Sequence, residues 1–410
     1  MRSAQRWFDH LSYELPEGVR HENMLLHSDL AACASSKRGE AYSDSELFEL
    51  GKHIDELPYG TAFDGASIIH DRREVPHRIV PFPRFGILCR IPPCYFDADS
   101  AERIQDHYSF SGVQDKFTAT LERAGEDFIL RMPDRRRELG NVIVKPWSYK
   151  YGFQPENEYF SMCVMEECGF DTARTALFSA PTDTGIRRMH LCVERFDFDY
   201  GSEPRPVKRS VKQFAELMDL PAVSGGKYAP TTEELFGFIE KALPPDAQSE
   251  FAMRYLFGYI LGNGDMHAKN FSLMYDPQTE RWKLSPVYDM LNTQLYGLPN
   301  RLCLPLGEGD ERHDPDLFLL VDFLSDFLGT HGFEALYERL GRLPETAQSV
   351  GSGIETVVRR ELPEENTKML AARSEFLCRL VESVQLESIR FLDHIERYYL
   401  DAPSSPEPTL

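Results

Sequence analysis

The stretch that most constrains this chain is Gly258-Tyr-Ile-Leu-Gly-Asn-Gly-Asp-Met-His-Ala-Lys-Asn270. Tyr255, Leu256, Phe257, Tyr259, Ile260 and Leu261 form an apolar run that reads as a buried helix. The run breaks at Gly262-Asn-Gly264, and a polar loop follows with Asp265, His267, Lys269 and Asn270. A rigid apolar element thus delivers four polar side chains to one short loop, as a reacting site requires. Beyond it, Asn270–Tyr275 reads as a strand, Asp276-Pro-Gln278 as a turn and Arg281–Leu284 as the returning strand. Such a hairpin brings Asp289, in Pro286-Val-Tyr-Asp289, back beside Asn270. A carboxylate and an amide oxygen meeting there form a hard-oxygen site that suits magnesium carried by nucleotide phosphates. The plainer alternative is that Asp289 caps the turn that follows it.

The spacing Asp265-x-x-x-x-Asn270 matches the catalytic loop of protein kinases. In that loop the Asp accepts the proton of the incoming hydroxyl and the Asn holds a metal ion. The spacing alone is common by chance, so its weight comes from the rest of the chain. Upstream, Asn141-Val-Ile-Val-Lys145 places a lysine at the end of a β-branched strand, as in the kinase strand lysine that pairs with nucleotide phosphates. Pro155 to Gly169 then reads as a helix, with Pro near its start and Gly just past its end. Tyr159, Met162, Val164 and Met165 supply its expected buried side, and Glu158 stands where it could pair with Lys145. The commoner fate of a Lys or a Glu is a solvated surface charge.

Six segments occur in order: Ser109-Phe-Ser-Gly-Val-Gln-Asp-Lys116, Val-Ile-Val-Lys145, Glu156-Asn-Glu158, Val193-Glu-Arg-Phe-Asp197, Gly264-Asp-Met-His-Ala-Lys-Asn-Phe-Ser272 and Pro286-Val-Tyr-Asp289. Together they resemble the HipA family, the serine/threonine kinase toxins of bacterial type II toxin–antitoxin operons. The resemblance implies an α+β, bilobal protein-kinase-like (PI3/4-kinase-like) fold with a β-rich N-lobe and a helical C-lobe. It implies ATP and Mg2+ as cofactors. Ser111, Gly112, Val113, Gln114 and Lys116 would line a loop over the phosphates, with Lys145 and Glu158 beneath. Backbone groups near Glu194 and Phe196 would hold the adenine. Asp265 and His267 would be catalytic, and Asn270 and Asp289 would hold the metal.

The family's autophosphorylated serine falls at Ser109, with Ser111 as a second candidate. A phosphate there adds a charge of about −1.5 to −2, which would repel the nucleotide and expel the loop as an off-switch. The resemblance further implies a protein substrate, an aminoacyl-tRNA synthetase or another translation or replication protein, and hence growth inhibition and persistence. Implied partners are a DNA-binding HipB-like antitoxin, a separate small HipS-like protein, or both. Two other readings stay open. Small-molecule kinases of the aminoglycoside-phosphotransferase type share Gly-Asp-x-His-x-x-Asn but lack the Ser-x-Ser-Gly-x-Gln loop. A pseudokinase scaffold is the third, against which stand Lys145, Asp265, Asn270 and Asp289.

At 410 residues the chain is long enough for two or three domains. Its formal net charge of −21 argues against a nucleic-acid binder, so no direct DNA contact is expected. No apolar stretch reaches the length of a membrane helix, and the first residues lack the apolar core of a signal peptide. Eight cysteines are scattered, and Cys89 and Cys94 have no second pair nearby, which fits reduced thiols in the cytoplasm.

The expected organisation is an N-terminal extension over 1–85, a nucleotide-binding lobe over 86–197, a helical lobe over 198–400 and a disordered tail over 401–410. The extension holds a capped helix near Ser43–Ile54 and does not resemble the amino-terminal subdomain of full-length HipA proteins. Strands are expected at Ile87–Ile91, Phe117–Leu121 and Phe128–Leu130, with an edge strand at Leu302–Leu306. Asp134-Arg-Arg-Arg-Glu138 reads as a solvated hairpin tip. Helices are expected at Ser210–Met218, at Asp246–Leu261, Pro315–Leu328, Phe333–Leu340 and Lys368–Leu400, and Tyr228–Leu235 leads into another that runs to about Leu243.

Overall fold

A computed structural model of the chain describes residues 61–63, 68–70, 87–89, 116–124, 127–131, 140–148, 151–181, 186–199, 207–221, 225–276, 279–297, 301–308, 312–363, 365 and 367–397. The capped helix at Ser43–Ile54, the basic cluster Arg135–Arg137, the tail and the loop residues Ser109, Ser111, Gly112, Val113 and Gln114 lie outside the described residues. Two short strands, β1 (Thr61–Phe63) and β2 (Ile68–His70), pair antiparallel.

A six-stranded sheet follows, built from β3 (Ile87–Cys89), β4 (Phe117–Ala124), β5 (Asp127–Arg131), β6 (Val142–Lys145), β7 (Thr175–Pro181) and β8 (Arg187–Glu194). Its order is β3-β5-β4-β6-β8-β7, antiparallel throughout except for the parallel β3–β5 pair. β4 runs further than the sequence suggests: Ala124 still pairs with Asp127 in a tight hairpin. The period of two splits the side chains cleanly. Phe117, Ala119, Leu121, Val142, Val144, Ala176, Phe178 and Cys192 form a small core on one face. Leu177, Met189, Leu191 and Val193 point the other way, into the main core.

That second face packs on α1 (Gln154–Glu167), which is buried at every position from Gln154 to Met165. The sequence suggested a one-sided helix. In fact α1 is roofed by helices of the C-terminal half, so Glu156, Asn157, Glu158 and Ser161 go inside with the apolar residues. Gly169, at φ 86, ends it as a left-handed cap that favours glycine.

Past β8 the chain forms a small ladder, β9 (Phe198–Asp199) with β10 (Val207–Lys208). Ser210–Met218, expected as a helix, is instead β11 (Val211–Gln213) running into the single turn α2 (Phe214–Leu217). Pairing decides this: Val211–Gln213 joins β12 (Ser272–Asp276), which pairs in turn with β13 (Arg281–Leu284). α3 (Thr232–Ala242) starts at a complete capping box between Thr231 and Glu234. α4 (Pro245–Ile260) is buried from Phe251 onward and carries the central loop at its C-terminus.

Among the described residues the expected strand at Leu302–Leu306 joins no sheet. Leu302, Leu304 and Leu306 are buried alternately, but the chain bends at Cys303 and Leu304, and Leu302 and Leu306 donate their N–H groups to the carbonyls of His313 and Arg312. α5 (Leu317–Glu361) breaks at Gly329 and then runs on through Pro344, well past the expected end at Leu340. α6 (Thr367–Ile395) packs back along it. Gly351 lets the two helices meet, since a Cβ there would sit 2.6 Å from Val381 Cγ2.

Candidate active site

Four elements converge on Lys145, the last residue of β6. Its ammonium donates to Glu158 Oε1 of α1 at 2.5 Å and to Asp289 Oδ1. Lys116 Nζ stands 3.7 Å from the other oxygen, Asp289 Oδ2. Lys145 and Glu158 are 3% and 1% exposed, so the pair is a buried ion pair and not the solvated charges of the plainer reading. Burial by itself would push Lys145 down, but the Asp289 and Glu158 carboxylates outweigh it and hold the ammonium well above its ordinary value. Burial would raise Asp289, yet Lys145 and Lys116 hold it well below the usual carboxylate range. Glu158 is raised by burial, with Lys145 opposing. The charges therefore close as two cations against two carboxylates.

Asp289 is not a turn cap. It adopts φ 53, a left-handed conformation uncommon outside glycine. Its approach is fixed just upstream, where Val287 N–H donates to Asp171 O and Ala173 N–H to Val287 O, both at 2.8 Å. Downstream, Asn157 of α1 clasps the backbone of Asn292. Strain of this kind persists where the surroundings over-determine it, and it gathers at functional sites.

The loop after α4 is shaped by glycine. Gly262, at φ 76, lies against the Asn292 side chain, and a Cβ on Gly258 would overlap Met266 Sδ. Gly264 N–H donates to Thr293 Oγ1 at 2.7 Å and Asp265 N–H to Asn263 Oδ1 at 3.1 Å. Asn270 Nδ2 donates to the Asp265 carbonyl at 2.7 Å, which leaves its Oδ1 as the acceptor end of the amide. The Asp265 carboxylate is 37% exposed, and His267 Nε2 lies 3.8 Å from its Oδ1. His267 itself is buried. The Lys269 carbonyl accepts from Tyr288 Oη.

At the far end of β8, Glu194 N–H donates to Arg174 O at 2.8 Å and the Glu194 carboxylate receives the Arg174 guanidinium in two bonds. Arg195 N–H donates to Asn141 O at 3.0 Å. At the same junction the Phe196 ring packs 5.5 Å from Tyr288.

Among the described residues no group of three or more His, Cys, Asp or Glu is arranged to hold a metal. Asn270 and Asp289 offer an amide oxygen and a charged carboxylate. That donor set fits magnesium, which binds few protein oxygens and takes the rest of its shell from phosphates and water.

Sequence reading missed three contributors. Asn157 was quoted only within a motif. Tyr228, whose hydroxyl donates to Asp265 Oδ1 at 3.0 Å, looked like the approach to a helix. Glu156 pairs with Arg373 of α6 at 2.8 Å, and Arg373 also holds Glu365. The Gly225-Gly226 pair before Tyr228 was the available signal for a turn there. Nothing local could have announced a pairing 217 residues apart.

The chain is similar to known proteins in sequence and in fold. A candidate kinase of Haemophilus influenzae is 29% identical over 200 residues, covering 47% of this chain and 54% of the relative. A candidate kinase of Sinorhizobium fredii, Y4mE, is 29% identical over 272 residues, covering 65% of this chain and 56% of the relative. The chain thus spans about half the length of the curated relatives it matches. The HipA of a Shewanella oneidensis toxin–antitoxin system, solved with HipB and its operator DNA, superposes over 96% of this chain and 88% of its own. The TM-score is 0.54 at 19% identity, which establishes a shared fold. The sequence model of the HipA-like C-terminal domain matches residues 108–361, more than half of the 410 residues. The chain belongs to the HipA-like C-terminal domain family.

Proposed function

We propose that the protein is an ATP- and Mg2+-dependent serine/threonine protein kinase of the toxin type. One observation carries the reading: Lys145 sits buried between Glu158 and Asp289, with Lys116 on the far side of Asp289. A lysine gripped by a helix carboxylate and facing a second, strained carboxylate is the phosphate-ordering device of phosphoryl transfer. Lys145 and Lys116 neutralise phosphate charge. The Glu194 carbonyl and Phe196 orient the adenine. Asp265 takes the proton of the acceptor hydroxyl, and His267 supports the transferred phosphoryl. Asn270 and Asp289 are the residues that would hold magnesium, which when bound neutralises charge on the β- and γ-phosphates. Self-phosphorylation at Ser109 or Ser111 belongs to the same proposal.

The partner proposed is an antitoxin, by analogy with the HipB complex of the Shewanella protein. The substrate proposed is a translation protein such as an aminoacyl-tRNA synthetase. The test is induced expression of the wild type beside Asp265→Asn, with phosphoproteomics of both cultures. The expected result is new phosphoserine or phosphothreonine on a cellular protein and on the chain itself in the wild type only. Growth arrest that persists in Asp265→Asn, with no new phosphosites, would remove the kinase reading. Labelled ATP that marks metabolites and no protein would redirect it to a small-molecule substrate.

A further inference from the structure

The carboxylate of Asp265 already holds a hydroxyl. Tyr228 Oη donates to Asp265 Oδ1 at 3.0 Å, and the Tyr228 ring stands edge-on to His267 with centroids 5.1 Å apart. Tyr228 closes the short 3-10 turn Gly226–Tyr228. Two glycines set the path of that turn. Gly225 takes φ 97, and a Cβ on Gly226 would stand 1.7 Å from the Pro221 carbonyl oxygen. The turn is also tied to the loop it covers, since Ala268 N–H donates to Lys227 O at 3.3 Å. Yet the Tyr228 side is open: the residue is 39% exposed and Asp265 37%. A tyrosine at the rim therefore reaches inward to an oxygen of the carboxylate assigned as the base.

A general base works only on a hydroxyl within hydrogen-bond reach, and a phenol held on Oδ1 competes with an acceptor for that oxygen. We propose that Tyr228 gates the acceptor site, its phenol standing in for the incoming hydroxyl on Asp265 Oδ1 until a serine, a threonine or water displaces it. This rests on the kinase reading. In the gated step the acceptor oxygen forms a bond to the γ-phosphorus as the bond from that phosphorus to the β–γ bridging oxygen breaks. ADP leaves, and the acceptor proton passes to the Asp265 carboxylate and on to solvent. The gate adds nothing to nucleotide binding, so its effect falls on turnover and not on ATP affinity.

The simplest acceptor is water, which removes any need to know the protein substrate. Full-length wild type and Tyr228→Phe are compared for ADP release from Mg-ATP with no protein added. Nucleotide binding is measured separately with trinitrophenyl-ATP. Tyr228→Phe keeps the ring and removes the competing O–H, and it is expected to raise hydrolytic turnover about tenfold, the factor that one net hydrogen bond represents, with nucleotide affinity unchanged. Tyr228→Ala, which clears the ring as well, is expected to rise at least as far. Turnover that stays level or falls in Tyr228→Phe, with nucleotide still bound, overturns the gate and makes Tyr228 a residue that orients Asp265. If neither wild type nor variant binds nucleotide, the kinase reading itself has failed and the gate goes with it.

Discussion

The Asn157 side chain pairs with both backbone groups of Asn292: its Oδ1 accepts from the N–H at 2.9 Å and its Nδ2 donates to the carbonyl at 2.8 Å. The bond crosses from α1 to the segment three residues past Asp289, and both asparagines are buried. It fixes the distance between the element that holds Lys145 and the segment that presents Asp289. Asn157→Asp removes the donor, buries a charge and orphans the Asn292 carbonyl. A loss of about 2–4 kcal/mol in urea unfolding is expected, together with weaker Mg-ATP binding. Unchanged stability would show that the clasp is not what holds the two elements.

Lys145→Met leaves Glu158 buried without its partner. Removing one member of a buried ion pair costs about 3–5 kcal/mol. The double variant Lys145→Met/Glu158→Leu is expected to regain most of that stability while phosphoryl transfer stays lost. A double-mutant cycle run on both unfolding and turnover separates the two roles. Recovery of turnover in the double variant would remove Lys145 from the chemistry.

His190 lies fully buried in β8, where its Nδ1 accepts the Trp147 N–H at 3.1 Å, and burial pushes its pKa down to about 3. A group depressed in the folded state and ordinary, near 6.5, in the unfolded state makes folding lose stability as pH falls. Its contribution is complete above pH 6.5 and drains away between 6.5 and about 3, at about 1.4 kcal/mol per pH unit. His190→Asn keeps an acceptor for Trp147 and does not titrate. The difference in urea midpoint between wild type and variant is expected to move against the wild type from pH 7 to pH 5. A constant difference would place the proton elsewhere.

Gly351 and Gly353 lie two residues apart in α5 and are expected to respond oppositely to alanine. At Gly353 a Cβ meets nothing within 4 Å, so Gly353→Ala gains helix propensity of about 0.5–1 kcal/mol. At Gly351 the added carbon meets Val381 Cγ2 at 2.6 Å, and overpacking of about 1–3 kcal/mol outweighs the propensity gain. Thermal melts of the two variants test the pair. Equal shifts would mean that α5 and α6 are looser than their contact implies.

These elements also mark what the sequence could and could not tell. The places of Lys145 at the end of β6 and of Asp265 and Asn270 in the loop after α4 were legible because a β-branched strand and an apolar helix lead into them, and the hairpin ahead of Asp289 has an obvious turn. The continuation of α5 past Leu340 was hidden by Gly341, Pro344, Gly351 and Gly353, residues that break helices locally. Here tertiary contact overrides propensity: the Pro344 carbonyl takes a bond from Gln385 Nε2, and a Cβ on Gly351 would stand 2.6 Å from Val381 Cγ2 of α6. Val211 and Phe214 share helical spacing by coincidence, and pairing with β12 claimed Val211 for a strand. At Tyr228 the Gly225-Gly226 pair signals a turn but not the partner that the turn brings it to.

A helix with solvent on one side can be tilted like a lever, and α1 has no such side. Displacing it would part the sheet from the helical layer along its whole length and strand Glu156, Asn157 and Glu158 without partners. Silencing this molecule by levering α1 outward would therefore cost as much as unfolding much of it. Covering the exposed Asp265 carboxylate would leave that frame standing.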